Sequence, residues 1–271
     1  MLKKLQINRD IVGLEAFSAS NVTGFFKDMF PSIKTAYNSF SDAFRPSEAA
    51  VMLAPTHKEF ERELSKHSYM DIKELSASVP EGLKVDYREY ADILLVAAKH
   101  VANVSTTLSE FNVYLAQLIS HNEMRLSTDD KAAKFAALEK QRELILSDLG
   151  NCFDKGSTRS DVTIAKVVNR NNEWGDVFAI CEKMTEEVLK VNRVKLNRAI
   201  EDSVEMMEAL ERKLKAAEMD GVSPNVVNNL AAGAYQVASE LEFFSVVYYR
   251  VEVFVNCVNK TIGHFQTVMK Q

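Results

Sequence analysis

A chain of 271 residues with 46% apolar side chains can fill a substantial core, which excludes a disordered protein and allows one large domain or two ordinary ones. Only 9 Gly and 5 Pro punctuate that length, so the elements must be long and the predicted fold class is all-α. The net charge of −5 comes from interleaved acidic and basic residues, which leaves no basic face to neutralise phosphates, so direct sequence-specific nucleic-acid binding is not expected.

Residues 1–19 carry no sustained period and read as an arm. Lys3 and Lys4 could open a signal peptide, but Asn8, Arg9 and Asp10 interrupt its apolar stretch, so export by that route is not expected. Over residues 20–44, Phe26, Phe30, Ile33, Tyr37, Phe40 and Phe44 recur at alternating steps of four and three, the spacing of one helical face. Pro31 divides this face into two short helices, and its six residues form a candidate docking stripe. Lys27 and Lys34 are balanced there by Asp28 and Asp42, so attraction to anionic lipid is small and membrane contact is not expected. Pro46 and Pro55 bracket another short helix, and Thr56 with Glu59 makes a capping box that opens a third. Within residues 68–85 the Pro80-Glu81-Gly82 turn is clear, while its flanks fit either a helical turn or a small hairpin.

From Asp86 the pattern becomes a heptad seam. Tyr87, Tyr90, Leu94, Ala97, Val101, Val104, Leu108, Phe111, Leu115 and Leu118 predict one helix of roughly forty residues. Ser127 and Asp130 restart the chain into a helix carrying Phe135, Leu138, Ile145 and Leu149, which Gly150 closes. Residues 150–172 read as a long connection in which Val162, Ile164, Val167 and Val168 fit a short strand or a helical turn. A second long pattern runs from Glu173 to Asp220 through Trp174, Val177, Cys181, Met184, Val188 and Val191, then Leu196, Ile200, Val204, Met207, Leu210 and Leu214. Its phase slips between Asn192 and Asn197, as at a stutter or kink. Asp220-Gly221 ends it, and Ser223-Pro224 caps the last helix.

That last helix repeats Val227, Leu230, Ala234, Val237, Leu241, Phe244, Tyr248, Val251, Val255, Val258, Ile262, Phe265 and Met269 without a miss. Asn228, Glu240, Glu242, Arg250 and Lys260 are assigned to its polar faces, while Phe243, Val247, Tyr249, Val253 and Phe254 widen the apolar side enough to want two neighbours. The expected architecture is an elongated bundle of about four long antiparallel helices with shorter N-terminal helices packed on it. The expected division is an arm with short amphipathic helices over 1–85 and the long-helix bundle over 86–271.

No pattern of reactive residues emerges. The histidines at 57, 67, 100, 121 and 264 form neither His-x-x-x-His nor Glu-x-x-His, and His100 reads as a surface or core-edge residue. His121-Asn122-Glu123 is the one place where a histidine, an amide and a carboxylate cluster. Nucleotide-binding glycine loops and Gly-x-Ser-x-Gly are missing. Glu201, Asp202, Glu205, Glu208 and Glu211 read as a solvated face, and Trp174 as a packing anchor. Cys152, Cys181 and Cys257 are spaced as buried free thiols, which suits a reducing compartment. No catalytic residue, cofactor or metal is therefore assigned, and the expected role is non-enzymatic.

The arm ending in Gly13-Leu14-Glu15-Ala16-Phe17, the aromatic segment after it and the helical body together resemble helical virion proteins of large tailed bacteriophages, of the minor capsid and internal head type. In that family a maturation protease trims arms after a glutamate preceded two residues earlier by a small residue, so the resemblance makes Gly13 and Glu15 a candidate processing site. It implies a structural subunit in the virion, assembled in the host cytoplasm, whose partners are capsid or other virion proteins and possibly further copies of itself. Ala137-Leu138-Glu139 and Ser203-Val204-Glu205 fit the same pattern inside predicted helices, which would protect them. Two rival readings stand beside this one. One is a cytoplasmic adaptor or inhibitor that sequesters a partner protein; the other is a membrane-active bundle using residues 20–44, assisted by 243–258.

Overall fold

The computed structural model describes residues 53–120, 132–216 and 224–269. These are mostly helical, as an all-α fold requires. In chain order they form α1 (Leu53–Leu64), α2 (Tyr69–Ile72), β1 (Ser76–Ser78), α3 (Tyr87–Val101), α4 (Asn103–Ser120), α5 (Ala132–Asn151), β2 (Asp161–Thr163), a 3-10 turn (Ile164–Lys166), α6 (Glu173–Leu189), α7 (Arg193–Ala216) and α8 (Pro224–Met269). The helices expected over 20–44, the Ser127–Asp130 restart, the Asp220-Gly221 stop and the His121-Asn122-Glu123 cluster lie outside the described residues.

All ten seam residues from Tyr87 to Leu118 are buried, yet the single helix expected there is two. Ala102 remains right-handed at φ −58°, ψ −24°, closer to 3-10 than to α geometry, and its N–H turns to Lys99 O, three residues back, at 3.4 Å. The pattern from Glu173 is likewise divided, into α6 and α7. At the slip, the Asn192 side chain accepts the Lys195 N–H at 3.0 Å and so caps a new helix.

Two further boundaries move, and one open segment resolves. α1 begins at Leu53 rather than Thr56, with Pro55 inside its first turn, where a missing N–H costs nothing. α5 runs through Gly150 to Asn151, since that glycine stays helical. Residues 68–85 hold both a helical turn and a strand, but β1 forms no local hairpin. It pairs antiparallel with β2, Ser76 opposite Thr163, Ala77 opposite Val162 and Ser78 opposite Asp161.

The described residues divide into two compact units, each drawing on separated segments: residues 103–120, 132–141, 191–216 and 224–245 in the first, and 53–102, 142–190 and 246–269 in the second. The second therefore takes chain from both sides of the 85/86 division expected from the pattern.

In the first unit α4 packs on α7, with Val104, Leu108, Phe111 and Leu115 buried along one helix and Leu196, Ile200, Met207 and Leu210 along the other. Asn112 fixes their register: its Nδ2 donates to Ala199 O at 3.0 Å, and the Ser203 hydroxyl bonds its Oδ1. Lys213 Nζ reaches Ile119 O at 2.7 Å and Leu118 O at 3.3 Å, supplying donors to the last carbonyls of α4. Glu201, Asp202, Glu205 and Glu208 are exposed, as a solvated face should be. Within α8, Leu230, Ala234, Val237, Leu241 and Phe244 are buried as the repeat predicts, but Glu240 is buried too and does not belong to a polar face. Gln236, one turn earlier, donates to its carboxylate at 2.7 Å, and Asn229 and Gln236 are buried with it. The amide satisfies one oxygen of that carboxylate, a pairing that a hydropathy pattern cannot show.

In the second unit α3 packs on α6 and α1 lies against α6. The core is aromatic: Trp174 meets Phe60 at 5.1 Å, Phe178 at 5.8 Å and Tyr87 at 6.0 Å, Phe60 meets Phe265 at 4.9 Å, and Phe254 stands edge-on to Tyr87 and Tyr90. Asp86 caps α3 by accepting the Glu89 N–H at 2.7 Å. The expected turn closes with Leu83 N–H donating to Pro80 O at 3.0 Å. Gly82 sits there at φ +76°, and a Cβ on it would lie 3.0 Å from Ser157 O. Gly82→Ala is therefore expected to lower the stability of this unit by about 1–3 kcal/mol, read from the urea midpoint at unchanged m-value; an unshifted midpoint would show that the turn adapts.

Candidate functional site

The two predicted sites, the docking stripe Phe26, Phe30, Ile33, Tyr37, Phe40 and Phe44 and the processing pair Gly13 and Glu15, lie outside the described residues. Their two decoys lie where expected, Glu139 within α5 and Glu205 within α7. Of the histidines, His57 and His100 are buried, so His100 belongs to the core rather than to its edge or the surface. Trp174 is fully buried, and all three cysteines are buried free thiols. Among the described residues no group of His, Cys, Asp and Glu is placed to hold a metal ion. No described helix is long and apolar enough to cross a membrane.

Among the described residues, a cleft of about 410 Å³ lies in the second unit. Two short strands and the last turns of α8 form it. β1 contributes Ser76 and Ser78, β2 contributes its first residue Asp161 with Ser160 just before it, and α8 contributes Cys257, Lys260, Thr261 and His264. The α8 residues sit at steps of three and four, so one helical face supplies all of them.

A hydrogen-bonded floor holds the cleft in shape. Thr261 Oγ1 donates to Cys257 O at 2.9 Å, as threonines within helices do, and accepts the Ser78 N–H at 2.9 Å. The Tyr87 hydroxyl donates to Ser78 O and lies 2.9 Å from the same Thr261 oxygen. α3, β1 and α8 are thus tied through one threonine, and the outward N–H and C=O of Ser78, which would otherwise form a bare strand edge, are satisfied by side chains.

Burial sets the protonation of the phenol under the cleft and of the thiol in its wall. Burial pushes the Tyr87 phenol well above its usual range, against the smaller opposing effect of its Thr261 bond, so it stays protonated. Burial also raises the Cys257 thiol, more than the neighbouring Ser78 hydroxyl and Lys260 lower it, which leaves a poor nucleophile at neutral pH. Cys181 is raised by burial in the same way. Lys260 and Asp161 bring opposite charges to the lining, with His264 on the same face of α8 as Lys260. No family model, curated protein or solved structure matches this chain.

Sequence reasoning missed the cleft, although both strand segments were the ones it left open between strand and helix. The pairing that resolves them joins residues far apart in the chain, and no local pattern reports such a partner. A second arrangement was also missed: His57 on α1 lies face to face with Phe178 on α6. The rings are 3.9 Å apart at an interplanar angle of 11°.

Proposed function

We propose that this is a non-enzymatic structural protein that acts through protein–protein packing, as a helical virion subunit of the minor capsid or internal head type. The finer architecture expected from the seams, about four long antiparallel helices, is part of the same proposal. The observation that carries it is α8: over 46 residues it buries one wide face, from Leu230 and Ala234 through Phe243, Phe244, Val247 and Phe254 to Ile262 and Phe265, and exposes a narrow stripe with Glu242, Tyr249, Lys260 and His264. A face that wide suits packing against more than one neighbouring helix. The stripe Phe26–Phe44 would dock on a neighbouring subunit or on the chain's own bundle, and trimming after Glu15 would expose Ala16 as the new N-terminus.

Quantitative mass spectrometry of purified particles tests this reading. The expected result is several copies per particle and a mature N-terminus at Ala16. A chain starting at Met1 would remove the processing step, and absence from particles would overturn the assignment.

A further inference from the structure

His57 is buried, with 5% of its surface exposed, and neither ring nitrogen has a hydrogen-bond partner. Phe178 covers one face of the ring. Phe60, one turn on from His57 along α1, joins α1 to Phe178, Trp174 and Phe265. Glu182 faces His57 from α6, with Oε1 3.8 Å from Nδ1, beyond hydrogen-bonding distance, and its side chain is 56% exposed. On α1 itself the exposed Lys58 and Glu59 follow His57 directly and the exposed Glu61 and Arg62 come one turn on, while α8 brings the apolar Phe265 to the neighbouring Phe60.

A neutral imidazole can occupy this slot as a flat, aromatic-like group. An imidazolium cannot do so at equal cost: it carries two N–H donors and a charge, and the slot offers Nε2 no acceptor and Nδ1 a carboxylate that is too far away. We propose that His57 is a proton-operated latch between α1 and α6, holding α1 down when neutral and releasing it when protonated.

The direction in pH follows from burial, which holds the imidazole below its usual 6.5 and outweighs the opposing pull of Glu182. The released or unfolded segment therefore takes up protons first as the pH falls. Docking of α1 is strongest above 6.5 and weakens as the pH drops through the lower, docked-state value.

Hydrogen exchange on the full chain at about pH 7.5 and about pH 5, corrected for intrinsic rates, reads this directly. Amides of α1 are expected to lose about tenfold or more in protection at the lower pH, while those of α4 and α7 are unchanged. His57→Phe, or His57→Leu if the larger ring does not fit, is expected to keep α1 protected at both values. Equal protection of wild-type α1 at the two values would overturn the proposal, as would the same loss in the variants. A second measurement, the imidazole titration of His57 by NMR, should fall below 6.5, and a value at or above 6.5 would equally sink it.

Discussion

Replacing Val251 by Asp is expected to cost about 3–5 kcal/mol, enough to unfold a marginally stable unit. Val251 is 3% exposed on α8 and lines a small apolar dimple with Thr185, Val188, Leu189 and Tyr248. A carboxylate there meets no cation in the wall and has Glu252 beside it, so it gains neither a counter-charge nor water. Val251→Ala separates charge from volume: it removes two methyl groups and should cost only about 2 kcal/mol. Thermal melts of the two variants check this. A Val251→Asp protein that melts like wild type would mean that this face of α8 is not buried in solution.

Trp174→Ala should be as severe, at about 3–5 kcal/mol, because it empties the largest fully buried side chain from the centre of an aromatic cluster. The rings of Phe60, Phe178 and Tyr87 all pack on the indole, and they belong to three helices that cannot close the void together without moving apart from their other partners. Trp174→Phe supplies the informative contrast. The indole Nε1 is buried without a hydrogen-bond partner, so phenylalanine loses volume but also removes an unsatisfied donor. Its cost is expected to be about 1 kcal/mol, and urea midpoints for the pair distinguish a packing anchor from a residue held for its N–H. A Phe variant as unstable as the Ala variant would point to a hidden partner for Nε1.

Much of the helical architecture was legible because its signal is local. The seam from Tyr87 to Leu118 and the repeat along α8 are spaced at three and four, and nearly all of their described positions proved buried. Breaks were less legible than faces: Ala102 departs from α geometry by a small change in ψ that no residue type announces, whereas Asn192 carries a recognisable cap. Burial of Glu240 escaped detection because its partner Gln236 is itself polar, and two polar residues a turn apart read as a solvated face until their hydrogen bond is seen.

Periodicity and single-residue stereochemistry were enough to give the helical class, the apolar faces, the turn at Gly82 and the free state of the three thiols. Packing was needed to pair Ser76–Ser78 with Asp161–Thr163, to tie β1 to α3 and α8 through Thr261, and to lay His57 on Phe178 with its nitrogens unpartnered. Each of these joins residues far apart along the chain. Such contacts are set by how whole faces pack, and a one-dimensional pattern carries the face without naming what it meets.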